Sequence, residues 1–141
     1  MNNVNLKLVI ALARAYNRVF SRIEKSVSEY GLTISEFGVL EMLLHKGEQP
    51  VQRIAEKILV TSGTVTYVLD KLQKKELIYR RKCTKDKRIF YVCLTEKGEA
   101  FISAIFKEHK KFLDELFSSL DEKTKEELIK NMFFLADELK E

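Results

Sequence analysis

Apolar residues recur at steps of three and four from Leu6 through Val9, Ile10, Ala13, Tyr16, Phe20, Ile23 and Val27 to Tyr30, which predicts one long amphipathic helix over about 4–29. Gly31 supplies the conformational freedom that ends such a helix. Thr33-Ile34-Ser35-Glu36 then reads as a capping box, with Thr33 capping the Glu36 amide and the Glu36 side chain reaching back. The helix it opens turns Phe37, Leu40, Leu43 and Leu44 inward and stops near Gly47. Pro50 opens a short helix over about 51–58, with Ile54, Ala55 and Ile58 inward. A brief turn, Leu59-Val60-Thr61, leads into another helix from Ser62 to about Glu76. Val65, Val68, Leu69 and Leu72 form its inner stripe, and Gly63, Thr66, Tyr67, Asp70, Lys71 and Lys74 fall on the opposite face.

After Leu77 the period changes from helical to extended. The segments 78–83 and 89–94 are rich in β-formers, and Thr84-Lys85-Asp86-Lys87 separates them, which predicts a two-stranded hairpin with a basic tip. A turn centred between Lys85 and Asp86 would set Cys83 opposite Arg88. Thr95 caps the next helix, to about Ser118, and Asp121 caps the last, which carries Leu128, Met132, Leu135 and Leu139. The expected fold is mainly α: a winged helix-turn-helix over 33–94, with a two-stranded wing, flanked by long helices over 1–30 and 96–141, all in a single domain. Leu6, Ile10, Phe106, Phe117, Phe133, Phe134 and Leu139 occupy more than one face of those helices, more apolar surface than a chain of 141 residues buries by itself.

Composition narrows the function classes. One proline and five glycines fit long helices and disfavour a many-turned β-sandwich or disorder. No apolar run reaches the ~18 residues of a membrane span, and no basic region precedes Leu6, so a cytoplasmic location is expected. Two cysteines ten residues apart do not make a zinc pattern or a disulfide scaffold, and His45 and His109 stand apart as surface residues by default. No metal or other cofactor is expected. Dinucleotide, Walker, zinc-protease and serine-hydrolase signatures are absent, which argues against an enzyme.

Charge changes the picture most. Between Lys71 and Arg88 there are nine basic residues against Glu76 and Asp86, a net of +7 on a chain whose total is +4, so the remaining 123 residues carry −3. Positive charge concentrated on a slightly acidic protein is the footprint of a polyanion-binding surface. A charge run alone is more often a solvated face, but this one lies on a helix-turn-helix and the wing that follows it. Such a helix can present side chains to the major groove of double-stranded DNA, and a basic hairpin tip suits the adjacent minor groove. The alternative is a winged-helix module that docks on an acidic protein and never touches DNA.

The segments Gly31-Leu32-Thr33-Ile34-Ser35-Glu36-Phe37-Gly38-Val39-Leu40, Ile54-Ala55-Glu56-Lys57-Ile58, Thr61-Ser62-Gly63-Thr64-Val65-Thr66, Leu69-Asp70-Lys71-Leu72, Asp86-Lys87-Arg88 and Leu94-Thr95-Glu96-Lys97-Gly98, in this order and spacing, resemble the multiple-antibiotic-resistance regulator (MarR) family over almost the whole chain. The resemblance implies a homodimeric winged-helix transcription regulator, usually a repressor. It also implies a pseudo-palindromic operator, release by a small aromatic (phenolic or quinone) effector, electrophile or oxidant, and dimerisation through the terminal helices. Carried over by position, Asp86 and Arg88 look like the family's wing-tip pair, with Asp86 holding the guanidinium for the minor groove. Ser62, Thr64, Thr66, Tyr67 and Lys71 look like the groove-facing set, and Arg80, Lys85 and Lys87 join them as basic wing contacts. The plainer readings are an incidental ion pair for Asp86–Arg88 and partial burial against the wing for Tyr67.

Tyr16 and Phe20 are candidates for an effector pocket, against the plainer reading of an apolar core stripe. Cys83, among Arg80, Arg81, Lys82 and Lys85, is the candidate redox residue, because cationic surroundings raise a thiol's reactivity. The segment 81–88 is also similar to wings in a quinone-responsive branch of the family, whereas the helix-one cysteine of peroxide-sensing relatives is missing here. Cys93, in a hydrophobic strand, reads as a packed small hydrophobe.

Overall fold

Local devices start and stop the helices where the sequence puts them. The structure, a computed structural model, describes residues 3–58 and 65–141. Helix α1 spans Val4–Ser28; Gly31 then takes a φ of 76°, and the Leu32 N–H reaches back to the Val27 carbonyl. Helix α2, Ile34–Lys46, begins with the expected capping box: Thr33 Oγ1 accepts the Glu36 N–H at 3.1 Å and Glu36 Oε1 accepts the Thr33 N–H at 2.9 Å. Strand β1, Gln49–Pro50, leads directly into α3, Val51–Lys57. Helix α4 is described from Val65 to Lys74; the expected turn 59–61 and the residues Ser62, Gly63 and Thr64 lie outside the described residues. Strands β2, Ile78–Lys82, and β3, Phe90–Leu94, are followed by α5, Glu96–Leu116, and α6, Glu122–Glu138.

The chain divides into two compact units, Met1–Lys107 and Glu108–Glu141. In the first, α2, α3, α4 and the sheet enclose a core of Phe37, Val39, Leu40, Leu43, Ile54, Val68, Leu69, Leu72, Ile78 and Val92, closed by Val27, Ile102 and Ile105. The inner stripe expected on α4 is therefore the one observed, with Val65 partly buried at its start. Ala55, expected inward, is exposed, and Ile54 alone of α3 is fully buried; a seven-residue helix touches the core along one line. Helix α1 is about 37 Å long at 1.5 Å per residue. Only its C-terminal part meets this core, and Leu6, Val9, Ile10 and Tyr16 of the same stripe are exposed.

The wing differs from expectation in two ways. It is a three-stranded antiparallel sheet in the order β1-β3-β2, because Gln49 and Pro50 pair with Val92 and Tyr91. Proline at the edge loses no ladder bond that the sheet needs. The hairpin register is also one residue off the expected one: Lys82 pairs with Phe90 and Tyr79 with Cys93. The turn is centred on Asp86 itself, whose carbonyl accepts the Ile89 N–H, and the Cys83 N–H donates to the Ile89 carbonyl at 2.8 Å. Cys83 thus sits opposite Ile89 and not Arg88, about 14 Å along the ladder from Cys93. Both cysteines are free thiols.

The corner between α4 and β2 brings the helix and the wing together. Glu76 adopts a φ of 63°, in the left-handed region where glycine is the usual residue. Its carbonyl accepts the Thr95 hydroxyl at 2.7 Å, and the same hydroxyl oxygen accepts the Gly98 N–H at 2.9 Å, capping α5. A Cβ on Gly98 would lie 2.0 Å from the Leu77 carbonyl oxygen, so only glycine lets α5 start this close to β2. Lys75, just past α4, donates to the Gly31 carbonyl (2.8 Å) and to Glu36 (3.0 Å), tying the end of α4 to the α1–α2 corner.

The second unit holds the end of α5 and α6. Asp121 Oδ1 accepts the Thr124 N–H at 2.8 Å, the expected cap. No residue of α6 is buried, and Ile129, Met132, Phe133, Phe134 and Leu139 are all exposed. His109 corrects the surface expectation: it is buried, its ring 6.1 Å from Phe112, whereas His45 on α2 is exposed and lies edge-on to Phe106.

Candidate nucleic-acid interface

Burial of Val68, Leu69 and Leu72 turns the opposite side of α4 outward, and Thr66, Tyr67, Asp70, Lys71, Gln73 and Lys74 are exposed there. Tyr67 is 56% exposed. The Lys71 ammonium lies 5.3 Å from its ring centroid, a cation–π contact one helical turn apart.

The wing tip is organised around Asp86. Its carboxylate accepts the Arg88 backbone N–H at 3.0 Å, Nε at 3.1 Å and Nη2 at 3.2 Å. This fork fixes the guanidinium while leaving the Arg88 side chain 91% exposed. The Arg88 side chain, and then its backbone N–H, hold the Asp86 carboxyl below its ordinary pKa. Asp86 is therefore ionised, and the fork intact, throughout the neutral range. Lys85 and Lys87 are exposed on either side.

Arg80 is placed differently from the open wing cation that the sequence suggests. Strand alternation points it to the same face as buried Ile78, where its Nε donates to Gln73 Oε1 at 2.9 Å and its Nη2 pairs with Asp70. It works as a strut from β2 to α4, with its charge matched by Asp70. A cleft of about 530 Å³ lies beside this strut, with Gln52 and Val51 of α3, Gln73 of α4, and Arg88, Ile89 and Phe90 of the wing on its walls.

On the other face of the sheet, Arg81 pairs with Glu48 and its guanidinium stacks 4.7 Å from the Tyr91 ring centroid. The Cys93 thiol donates to Glu48 at 3.4 Å, so Cys93 is buried but not the purely apolar packing residue expected. Burial pushes its pKa up, and the hydrogen bond to Glu48 acts in the same direction. Cys83 is only half-buried, and two of the four cations set around it by sequence, Arg80 and Arg81, are engaged with carboxylates elsewhere. Thiolate is the nucleophile, so iodoacetamide at pH 7.5 is expected to modify Cys93 in a Cys83→Ser protein about tenfold more slowly than Cys83 in a Cys93→Ser protein. Equal rates by intact mass would contradict the buried, protonated Cys93.

Tyr16 and Phe20 come together, ring centroids 4.6 Å apart, on the wall of a second cleft of about 400 Å³. Asn17, Ser21 and Glu24 of α1, Thr33-Ile34-Ser35, and Tyr67 and Val68 of α4 complete its lining. Periodicity cannot show that a stripe residue faces a cleft rather than a core. Asp70, Gln73 and Glu48 are partners that sequence reasoning did not assign; the one available signal is an acidic residue on an otherwise basic helix face. Among the described residues no group of three or more His, Cys, Asp and Glu side chains could hold a metal ion.

An exposed polar helix paired with a basic wing defines the class: a winged helix-turn-helix DNA-binding protein. The MarR family model matches residues 32–90. The chain is 44% identical over 122 residues, 86% of its length and 84% of the relative's, to the HTH-type transcriptional regulator MhqR of Bacillus subtilis. The crystal structure of the transcriptional regulator BldR from Sulfolobus solfataricus matches with a TM-score of 0.83 at 22% identity, over 99% of this chain and all of that one. The organohalide-sensing regulator RdhR, in its 2,4-dichlorophenol-bound form, matches with a TM-score of 0.83 at 17% identity, over 99% of this chain and 83% of that one. The chain belongs to the MarR family and is a DNA-binding transcriptional regulator.

Proposed function

We propose that the protein is a cytoplasmic, non-enzymatic repressor that binds a pseudo-palindromic operator as a homodimer. The observation that carries this reading is the Asp86-held, outward Arg88 beside the exposed polar face of α4. Thr66, Tyr67 and Lys71 are assigned to the major groove, and Lys85, Lys87 and Arg88 to the minor groove and its phosphates. Ser62 and Thr64, outside the described residues, keep the groove-facing role that the resemblance implies. Arg80 is reassigned from DNA contact to holding the wing against α4. A protein-docking module is disfavoured, because relatives at 44% and 40% identity over more than four-fifths of the chain are HTH-type transcriptional regulators.

Dimerisation is supported by the exposed apolar positions of α1 and of α6, which have no cover within either unit. The cleft lined by Tyr16 and Phe20 is the proposed seat of a small aromatic effector. It touches α4 through Tyr67 and Val68, so an occupant bears on the recognition helix itself. The dichlorophenol bound by RdhR supports this ligand class. Release through modification of Cys83 is the second route.

The test is a footprint and band shift on the DNA flanking the gene. Protection should be two-fold symmetric, with half-site centres about one helical turn, ~10–11 base pairs, apart. Affinity should fall steeply with salt as Lys and Arg contacts release counterions. An asymmetric footprint or salt-insensitive binding would overturn the reading. Quinone treatment of the parent and of Cys83→Ser then separates the two release routes: equal release discards the thiol.

A further inference from the structure

We propose that the cleft between α4 and the wing seats one sugar-phosphate strand of the DNA, and that Gln73, with Gln52, binds that backbone through neutral amide donors. The proposal rests on the reading that α4 enters the major groove and the wing tip the adjacent minor groove. In B-DNA those two grooves are separated by a sugar-phosphate strand, so a protein occupying both must pass the strand between its helix and its wing. The space there is the cleft of about 530 Å³ beside the Arg80 strut.

Its chemistry suits that occupant. Arg80 has only donors, so the atom of Gln73 that meets its Nε at 2.9 Å is the carbonyl oxygen. The Gln73 side chain is thereby oriented: its carbonyl oxygen is turned to Arg80, and its NH2 group is left to donate. An NH2 group held in this way can donate to a phosphate oxygen. Gln52, exposed on the first turn of α3, adds a second amide on the opposite wall. Val51 and Ile89 between them offer apolar surface to a deoxyribose. The Arg80 guanidinium at the cleft is matched by Asp70 and the Arg88 side chain is turned outward, 91% exposed, so the donors left within the cleft are the amides.

The experiment uses full-length protein and the footprinted operator, with affinity read by fluorescence anisotropy. Gln73→Ala should bind about 10- to 100-fold more weakly, as expected for one hydrogen bond from a neutral amide to an ionised phosphate. The factor should be the same on operators with changed base pairs, and the log–log salt slope should equal the parent's, because no cation is removed. Gln73→Glu separates contact from scaffolding. Its carboxylate still accepts from Arg80, so a purely structural role predicts near-parental binding, whereas a phosphate facing that carboxylate predicts a larger loss than in Gln73→Ala. Scanning single uncharged methylphosphonates through each half-site should then find one position where neutralisation weakens the parent, leaves Gln73→Ala unchanged and strengthens Gln73→Glu. A base-pair-dependent loss, near-parental Gln73→Glu, or no such position would overturn the proposal. If the parent itself binds no duplex DNA, the underlying groove assignment fails, and that outcome is visible before any variant is made.

Discussion

Arg88→Ala is expected to weaken operator binding by about 10- to 100-fold at physiological salt, the range set by losing one charge-assisted hydrogen bond to DNA at ~1.5–3 kcal/mol. The salt slope should fall by about one as well, since one cation no longer displaces counterions. The structure adds a sharper companion. In the proposed complex Asp86 is an anion close to the DNA, so if it only repelled phosphates, Asp86→Ala would strengthen binding. Its three hydrogen bonds to Arg88 instead give it the job of aiming the guanidinium, so Asp86→Ala should weaken binding, though less than Arg88→Ala. Thr66→Ala, on the exposed side of α4, should mainly change which operators are preferred. Anisotropy titrations on a small operator panel distinguish these patterns. Parental affinity for Arg88→Ala would remove the wing from the interface.

Removing residues 125–141 is expected to abolish dimerisation and DNA binding together. Phe133 and Phe134 are 68% and 66% exposed in the single chain, and Leu6 and Ile10 are exposed on α1. Burying a large apolar side chain contributes roughly 1.5–3 kcal/mol. A homodimer buries two copies of each, so these four side chains would account for about 6–12 kcal/mol of dimer stability, or roughly 10⁴–10⁹-fold in the dimer dissociation constant. Phe133→Glu with Phe134→Glu should therefore dissociate the protein at micromolar concentration without touching the winged-helix core. Sedimentation equilibrium reads the outcome directly. A parent protein that sediments as a stable, folded monomer at that concentration would count against the dimer, and a dimeric double variant against the use of α6.

Much of the fold is legible because it is locally encoded. The Thr33–Glu36 box, the Asp121 and Thr95 caps and the Gly31 stop each depend on side chains within a few residues of one another, and each forms as expected. The inner stripe of α4 follows from period alone, and with it the exposed side that carries Thr66, Tyr67 and Lys71. The wing-tip pair is similarly local, since Asp86 and Arg88 are two residues apart in one turn. Where expectation fails, the deciding contact comes from far along the chain or the choice between registers is finely balanced. The β1 strand exists only because β3 lies beside it, 41 to 43 residues further on. The hairpin register turned on whether Asp86 sits at the centre of the turn or beside it. His109 and Ala55 exchanged their expected environments because helical period gives a face but not the neighbours that cover it.

By itself, then, the sequence determined the helices, the hairpin, the polarity of the recognition face and the concentration of positive charge. Each follows from short-range sterics, capping and periodic burial. Only the tertiary structure decided how that charge is used. Nine basic residues between Lys71 and Arg88 look alike in a linear reading, yet Arg80 is matched by Asp70, Arg81 by Glu48 and Lys75 by Glu36. Three cations are thus drawn into holding the wing and α4 in place. The physical reason is that an ion pair forms wherever folding brings opposite charges within about 4 Å, and spacing along the chain does not carry that distance. Arg88 keeps its outward place because its carboxylate lies in the same turn and orients the guanidinium without covering it.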